Sequence, residues 1–251
     1  MIGFLFYILQ DLFLFHPTSL PQQYVFAFQQ PFKELNIPIT KEKRNLNIIQ
    51  FTVPDSLQKG IVLFFHGNRR NVERYAGYVP YFTKNGYAVW MPDYPGFGKS
   101  TGKRTEQRIN NDALLLYNMA AKETDAGNII IYGKSIGTGV ATQLASVKHC
   151  KQLILETPYY DINTLIRHYL PIYPTGMMIK YKFLTYLNLK NVHAPITILH
   201  GTDDEVIPYQ QAKRLQKLYP RIELVTIKGG KHNNLLRYPQ FQKKLDSLLH
   251  H

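Results

Sequence analysis

A serine held between glycines, Gly133-Lys134-Ser135-Ile136-Gly137, follows the apolar run Asn128-Ile129-Ile130-Ile131-Tyr132 and precedes an apolar, helix-like stretch. A strand-to-helix turn this tight strains the backbone at the serine and exposes its hydroxyl, and glycines on either side avoid clashes. Such a hydroxyl becomes a nucleophile when a base takes its proton and a carboxylate holds that base in the right tautomer. Two later segments supply both groups. His200-Gly201-Thr202-Asp203-Asp204-Glu205-Val206-Ile207-Pro208 offers two adjacent carboxylates, and Gly229-Gly230-Lys231-His232-Asn233 offers a histidine. Earlier, His66-Gly67-Asn68 puts the Asn68 backbone N–H where it can face an oxyanion formed on Ser135 attack, with the N–H of Ile136 as its partner. Singly, each has an ordinary explanation: a loop turn at His66-Gly67, a helix N-cap at Asp204 ahead of Pro208, a surface loop histidine at His232. Each also lies just past the C-terminal end of its own apolar run, where parallel sheets build their sites, and that coincidence favours acyl-transfer chemistry.

The elements that must position these residues are legible as a rhythm. Short apolar runs at 61–65, 87–91, 128–132, 152–156, 196–200 and 222–227 alternate with helix-length stretches at 72–84, 105–125, 136–149, 208–219 and 234–249. Continuous Val, Ile and Leu runs mark strands buried on both faces, so an α/β fold is expected: a mostly parallel central sheet with helices on both faces. The rhythm fails once, over about 158–194, where Pro171, Pro174 and Gly176 fall among seven tyrosines and phenylalanines. A small helical cap insertion above the sheet's C-terminal edge is expected there, within one domain covering 18–251.

Composition excludes other classes. With 45% hydrophobic and 19% charged residues the chain can bury a large core, so it is not a disordered protein. The formal charge of +13 is spread over separate groups, Arg69, Arg70 and Arg74, then Lys99, Lys103, Arg104 and Arg108, then Lys213, Arg214 and Lys217, with no basic-aromatic motif among them. No nucleic-acid partner is expected. A single cysteine, Cys150, rules out a disulfide within the chain and a cysteine metal site. Gly98-Lys99-Ser100 and Gly133-Lys134-Ser135 resemble the end of a phosphate-binding loop, but the glycine needed five residues earlier is Asp93 in one and Asn128 in the other. Gly96-Phe97-Gly98 lacks the third glycine of a dinucleotide fingerprint, that position being Thr101. Residues 1–17 form an apolar leader. Its run from Ile2 to Phe15, interrupted by Gln10 and Asp11, is shorter than the roughly 18 residues of a membrane span. On a helix Ile2, Leu5, Leu9 and Leu12 oppose Gln10 and Asp11, which suits either a membrane interface or docking on the domain.

Taken together, His66-Gly67-Asn68, Asp93-Tyr94-Pro95-Gly96-Phe97-Gly98-Lys99-Ser100, Gly133-Lys134-Ser135-Ile136-Gly137 and the segment from His200 to Pro208 resemble the α/β-hydrolase superfamily over about 45–250. Within it the chain resembles small serine hydrolases with an N-terminal membrane anchor. The resemblance implies Ser135 as nucleophile, Asp204 rather than Asp203 as the acid, His232 as base, and Asn68 and Ile136 as oxyanion donors, in the Ser, Asp, His order of that fold. It implies hydrolysis of ester-type bonds by a carboxylesterase, lipase-like enzyme or thioesterase through an acyl-enzyme, with no cofactor and no metal. The expected partner is a small-molecule or lipid-like ester, with peripheral membrane contact through residues 2–15 and an otherwise cytoplasmic location. The aromatic residues of the cap suit an apolar acyl group, and Arg167, Lys180, Lys182 and Lys190 would favour an anionic one. A non-catalytic binding or scaffold protein is the alternative from another class, and the intact set of three groups counts against it.

Overall fold

The structure, a computed structural model, describes residues 10–171 and 179–250. Its strands, in chain order, are β1 (His16–Pro17), β2 (Phe32–Ile39), β3 (Arg44–Phe51), β4 (Gly60–Phe65), β5 (Arg69–Arg70), β6 (Tyr87–Pro92), β7 (Ile129–Lys134), β8 (Gln152–Glu156), β9 (Ile196–Gly201) and β10 (Glu223–Ile227). Eight of them form one sheet in the order β10-β9-β8-β7-β4-β6-β3-β2, parallel throughout except for the antiparallel pairs β3–β6 and β2–β3. Every residue of β4, β6, β7, β8 and β9 is buried, which is why these strands read as unbroken apolar runs.

The helices needed here are α1 (Val79–Thr83), α2 (Glu106–Ala120), α3 (Gly137–Val147), α4 (Ile162–Tyr169), α5 (Thr185–Asn188), α6 (Gln210–Leu218) and α7 (Pro239–His250). They cover both faces of the sheet. Ile61, Leu63 and Phe65 of β4 pack in one core with Leu116 of α2, Leu144 of α3 and Leu215 of α6. Val62 and Phe64, pointing the other way, pack with Phe82 of α1 and with Phe241 and Leu245 of α7.

Two details depart from the expected rhythm. The stretch at 72–84 is a 3-10 helix over Val72–Tyr78, capped by the Asn71 side chain, before α1 begins with Pro80 in its first turn. Strands β2 and β3, which precede the first expected strand, add an antiparallel edge.

Between β8 and β9 the chain rises over the C-terminal edge of the sheet through α4 and α5. The part of the expected cap that includes Pro174 and Gly176 lies outside the described residues, as do Ile2, Leu5 and Leu9 of the leader. The described end of the leader is helical over 10–14 and docks through its polar side: Gln10 is buried while Leu12 is 65% exposed. Among the described residues no helix is long and apolar enough to cross a membrane.

Candidate active site

Ser135 follows the last residue of β7 with φ +54°, a left-handed conformation that costs a residue other than glycine on the order of 1–3 kcal/mol. The neighbours hold it there. A Cβ at Gly133 would sit 2.6 Å from the carbonyl oxygen of Gly137, and one at Gly137 would collide with the carbonyl oxygen of Phe65. Only glycine lets the turn fold this closely against β4, so the G-x-S-x-G spacing is a steric requirement. Ile136 stands at the start of α3, where the first N–H groups have no acceptor inside the helix.

Beyond the ends of β9 and β10 the chain brings up the other groups. His232 Nε2 lies 2.9 Å from Ser135 Oγ, and His232 Nδ1 lies 2.9 Å from Asp204 Oδ2. The loops after β9 and β10 approach closely because Gly201 has no side chain, a Cβ there colliding with the Gly230 carbonyl. Asp204 accepts the N–H groups of Val206 (2.9 Å) and Ile207 (2.7 Å), and its Oδ2 lies 3.2 Å from His200 Nε2. Burial alone would raise its pKa, but the contacts with His200 and His232 and the Ile207 N–H outweigh burial and hold the carboxyl well below the usual range. Its ionised form therefore stabilises the fold above the unfolded value of about 3.9. That contribution is lost only as pH falls through the lower folded value. Asp203 is exposed, accepts from the Thr202 hydroxyl at 2.7 Å and does not reach His232. The geometry separates the two aspartates that spacing left open.

Asn68 and Ile136 line the same cavity as Ser135, on opposite loops. The loop carrying Asn68 is braced by His66, which is fully buried, stacks on Tyr75 and accepts a hydrogen bond at its carbonyl from Tyr94 Oη at 2.8 Å. Asp93 braces the neighbouring loop by accepting the Val72 N–H at 3.0 Å. The Cys150 thiol, pushed up to about 12 by burial, stays protonated at neutral pH and offers no competing nucleophile.

Residue spacing missed one network. Buried Glu156 accepts hydrogen bonds from Tyr132 Oη (2.5 Å) and Tyr78 Oη (2.9 Å) and pairs with Lys134, whose Nζ also donates to the His232 carbonyl at 3.2 Å. Lys134, next to the serine, thus ties the histidine loop to the turn. The available signal was a lysine inside the glycine motif and a glutamate ending the apolar run 152–156.

Two hollows meet at Ser135. The larger, about 620 Å³, is walled by apolar side chains, among them Leu14, Ile162, Leu165 and Ile166. The smaller, about 50 Å³, is bordered by Arg69, Arg74, Tyr75 and Asn233. Of the cap's basic residues singled out by sequence, none borders either hollow.

Residues 56–186 match the family described as serine aminopeptidase, S33. Human protein ABHD12B is 30% identical over 204 residues, a match covering 70% of this chain and 56% of the relative. Lysophosphatidylserine lipase ABHD12 of Danio rerio is 28% identical over 225 residues, covering 75% of this chain and 58% of the relative. The chain thus spans 56% to 58% of the length of these curated relatives. Among solved structures, the Pyrococcus furiosus esterase PF2001 superposes with a TM-score of 0.69 at 17% identity, covering 94% of this chain and 97% of that one, a likeness of fold.

Proposed function

The chain belongs to the serine aminopeptidase S33 family of the α/β-hydrolase superfamily, and on that basis we propose that it hydrolyses ester-type bonds through an acyl-enzyme on Ser135. The observation that carries this reading is the contact chain Ser135 Oγ, His232 Nε2 and Nδ1, Asp204 Oδ2, with 2.9 Å at each contact, at the mouth of an apolar cavity. His232 takes the hydroxyl proton as Ser135 Oγ bonds to the carbonyl carbon. Asp204 holds the Nδ1 proton in place and faces the imidazolium that forms. The carbonyl oxygen becomes an oxyanion opposite the N–H groups of Asn68 and Ile136. Collapse expels the alcohol with the proton from His232, and a water deprotonated by the same ring releases the acid. The larger hollow takes the acyl chain. Arg69 and Arg74 beside the smaller one favour a leaving group that bears negative charge.

On p-nitrophenyl esters the protein is expected to release a burst of about one equivalent of p-nitrophenol per site where deacylation is slow. It is also expected to prefer medium acyl chains to acetate. Absence of hydrolysis across a series from acetate to palmitate would overturn the reading.

Peripheral membrane contact belongs to the same proposal, because Leu12 and Phe13 stand 65% and 63% exposed beside the cavity. Full-length protein is expected to sediment with phosphatidylcholine–phosphatidylglycerol vesicles. Leu12→Asp should weaken that binding on the order of tenfold, since burying one leucine contributes about 1.5–3 kcal/mol. Equal binding by both proteins would place the attraction in the basic surface.

A further inference from the structure

The leader's described end does more than rest on the domain. Its helical turn is pinned by polar groups: Gln10 Oε1 accepts the Lys180 N–H at 2.7 Å, and Asp11 Oδ1 accepts the Tyr181 hydroxyl at 2.5 Å. Phe15, buried, packs edge-on against Tyr181 at 4.9 Å and Phe97 at 6.3 Å, with the Arg104 guanidinium 4.5 Å above its ring. From there the chain runs as a strap across the two loops beside Ser135. β1 pairs with β5 in parallel, Thr18 N–H donates to the Arg70 carbonyl at 2.9 Å, and Leu20 N–H donates to the Gly98 carbonyl at 2.7 Å.

Asn68 is held by this strap from two sides. Its carbonyl accepts the His16 N–H at 2.8 Å, and its side-chain Nδ2 donates to the Leu14 carbonyl at 2.9 Å. These two bonds fix the side chain of Asn68 and the peptide that follows it, while the preceding peptide, which carries the Asn68 N–H, is held by the Gly67 carbonyl 2.7 Å from His66 Nδ1, so the placing of Asn68 depends on residues more than fifty positions earlier in the chain. The same turn places Phe13 and Leu14 in the wall of the 620 Å³ hollow, across from Ile162 and Ile166 of α4.

We propose that the strap 10–20 is a working part of the active site: it orients the oxyanion donor through Asn68 and forms one wall of the acyl pocket with Phe13 and Leu14. Asn68 is then both an oxyanion donor, through its backbone, and a positioning residue, through its side chain. This rests on the ester-hydrolase reading and extends it to a segment that would otherwise count as an anchor. A misplacement of about 1 Å in a catalytic group can cost on the order of 10²-fold in rate, so a strap bond to the oxyanion loop has a kinetic consequence out of proportion to its strength.

The test uses the full chain and two substitutions, with rates expressed per Ser135 labelled by a fluorophosphonate so that lost folded protein does not count. Asn68→Ala keeps the backbone N–H and removes the bond to Leu14. It is expected to lower kcat on p-nitrophenyl butyrate on the order of tenfold while KM moves less than about twofold. Phe13→Ala alters an exposed side chain whose loss the fold tolerates. It is expected to lower the octanoate-to-acetate ratio of kcat/KM on the order of fivefold, the value of a few methylene contacts. If either readout stays at its wild-type value in a protein whose Ser135 labels normally, the strap proposal is overturned and the ester-hydrolase reading stands. Failure of the wild-type protein to label would instead overturn that reading.

Discussion

Ser135→Ala is expected to lower kcat on a p-nitrophenyl ester by something on the order of 10⁴ to 10⁶, with KM changed little. In the proposed reaction the whole covalent route passes through that hydroxyl, and a methyl group can neither bond to the carbonyl carbon nor give up a proton. What survives is the contribution of the oxyanion donors and of binding, which in such sites still exceeds the uncatalysed rate. The fold should not suffer, because alanine removes a hydroxyl whose contact is to His232 and relieves no packing. Melting temperature measured beside kcat separates the two effects. Near-normal activity in a folded variant would remove Ser135 from the chemistry.

The second large effect is expected at Asp204. Asp204→Asn should cost about 10⁴ in kcat, because an amide facing His232 Nδ1 favours the tautomer whose Nε2 cannot accept the serine proton. Asp203→Asn should change kcat less than about threefold, its side chain being exposed and bonded to Thr202. Part of the Asp204 loss belongs to the loop, since the carboxylate also takes the Val206 and Ile207 N–H groups. Melting temperature measured beside kcat for both variants distinguishes the roles: loss of the orienting carboxylate lowers kcat in a protein that still melts near the wild-type temperature, and a loop defect lowers both. The reverse ranking of the two variants would move the orienting role to Asp203.

The five strands β4, β6, β7, β8 and β9 inside the sheet were readable because burial on both faces writes itself as unbroken apolar sequence, and the edge strand β10 was readable from its run of Ile, Leu and Val. β2 and β3 were not. β2 is an edge strand with Pro38 in it and a half-buried pattern, and β3 carries Arg44, Asn45 and Asn47, whose polarity is satisfied by partners outside the strand. Arg44 makes two hydrogen bonds to Asp112 of α2, at 2.9 and 2.7 Å, and Asn47 bonds to Glu34 and Asn36 of β2. No local pattern announces a partner 68 residues away.

The site divides along the same line. Ser135, His232 and the pair Asp203/Asp204 were legible because each follows its own strand, so adjacency in the sheet converts chain order into proximity. The choice between the aspartates, the His200 contact to Asp204 and the Lys134–Glu156 pair depend on which way loops turn after the strands end. The leader gave the most misleading pattern. Its polar residues looked like the face turned to water, yet Gln10 and Asp11 are the docked side, because backbone N–H and hydroxyl donors of the 180–181 segment await them.

The central claim is that Ser135 is activated by His232 and Asp204. Its most direct test is peptide mapping by mass spectrometry after reaction of the folded full-length protein with a fluorophosphonate. A single adduct on the peptide containing Ser135 is predicted, absent from Ser135→Ala and from heat-denatured protein, and slowed in Asp204→Asn. No adduct in the folded wild type, or an adduct on any other residue, would contradict the claim.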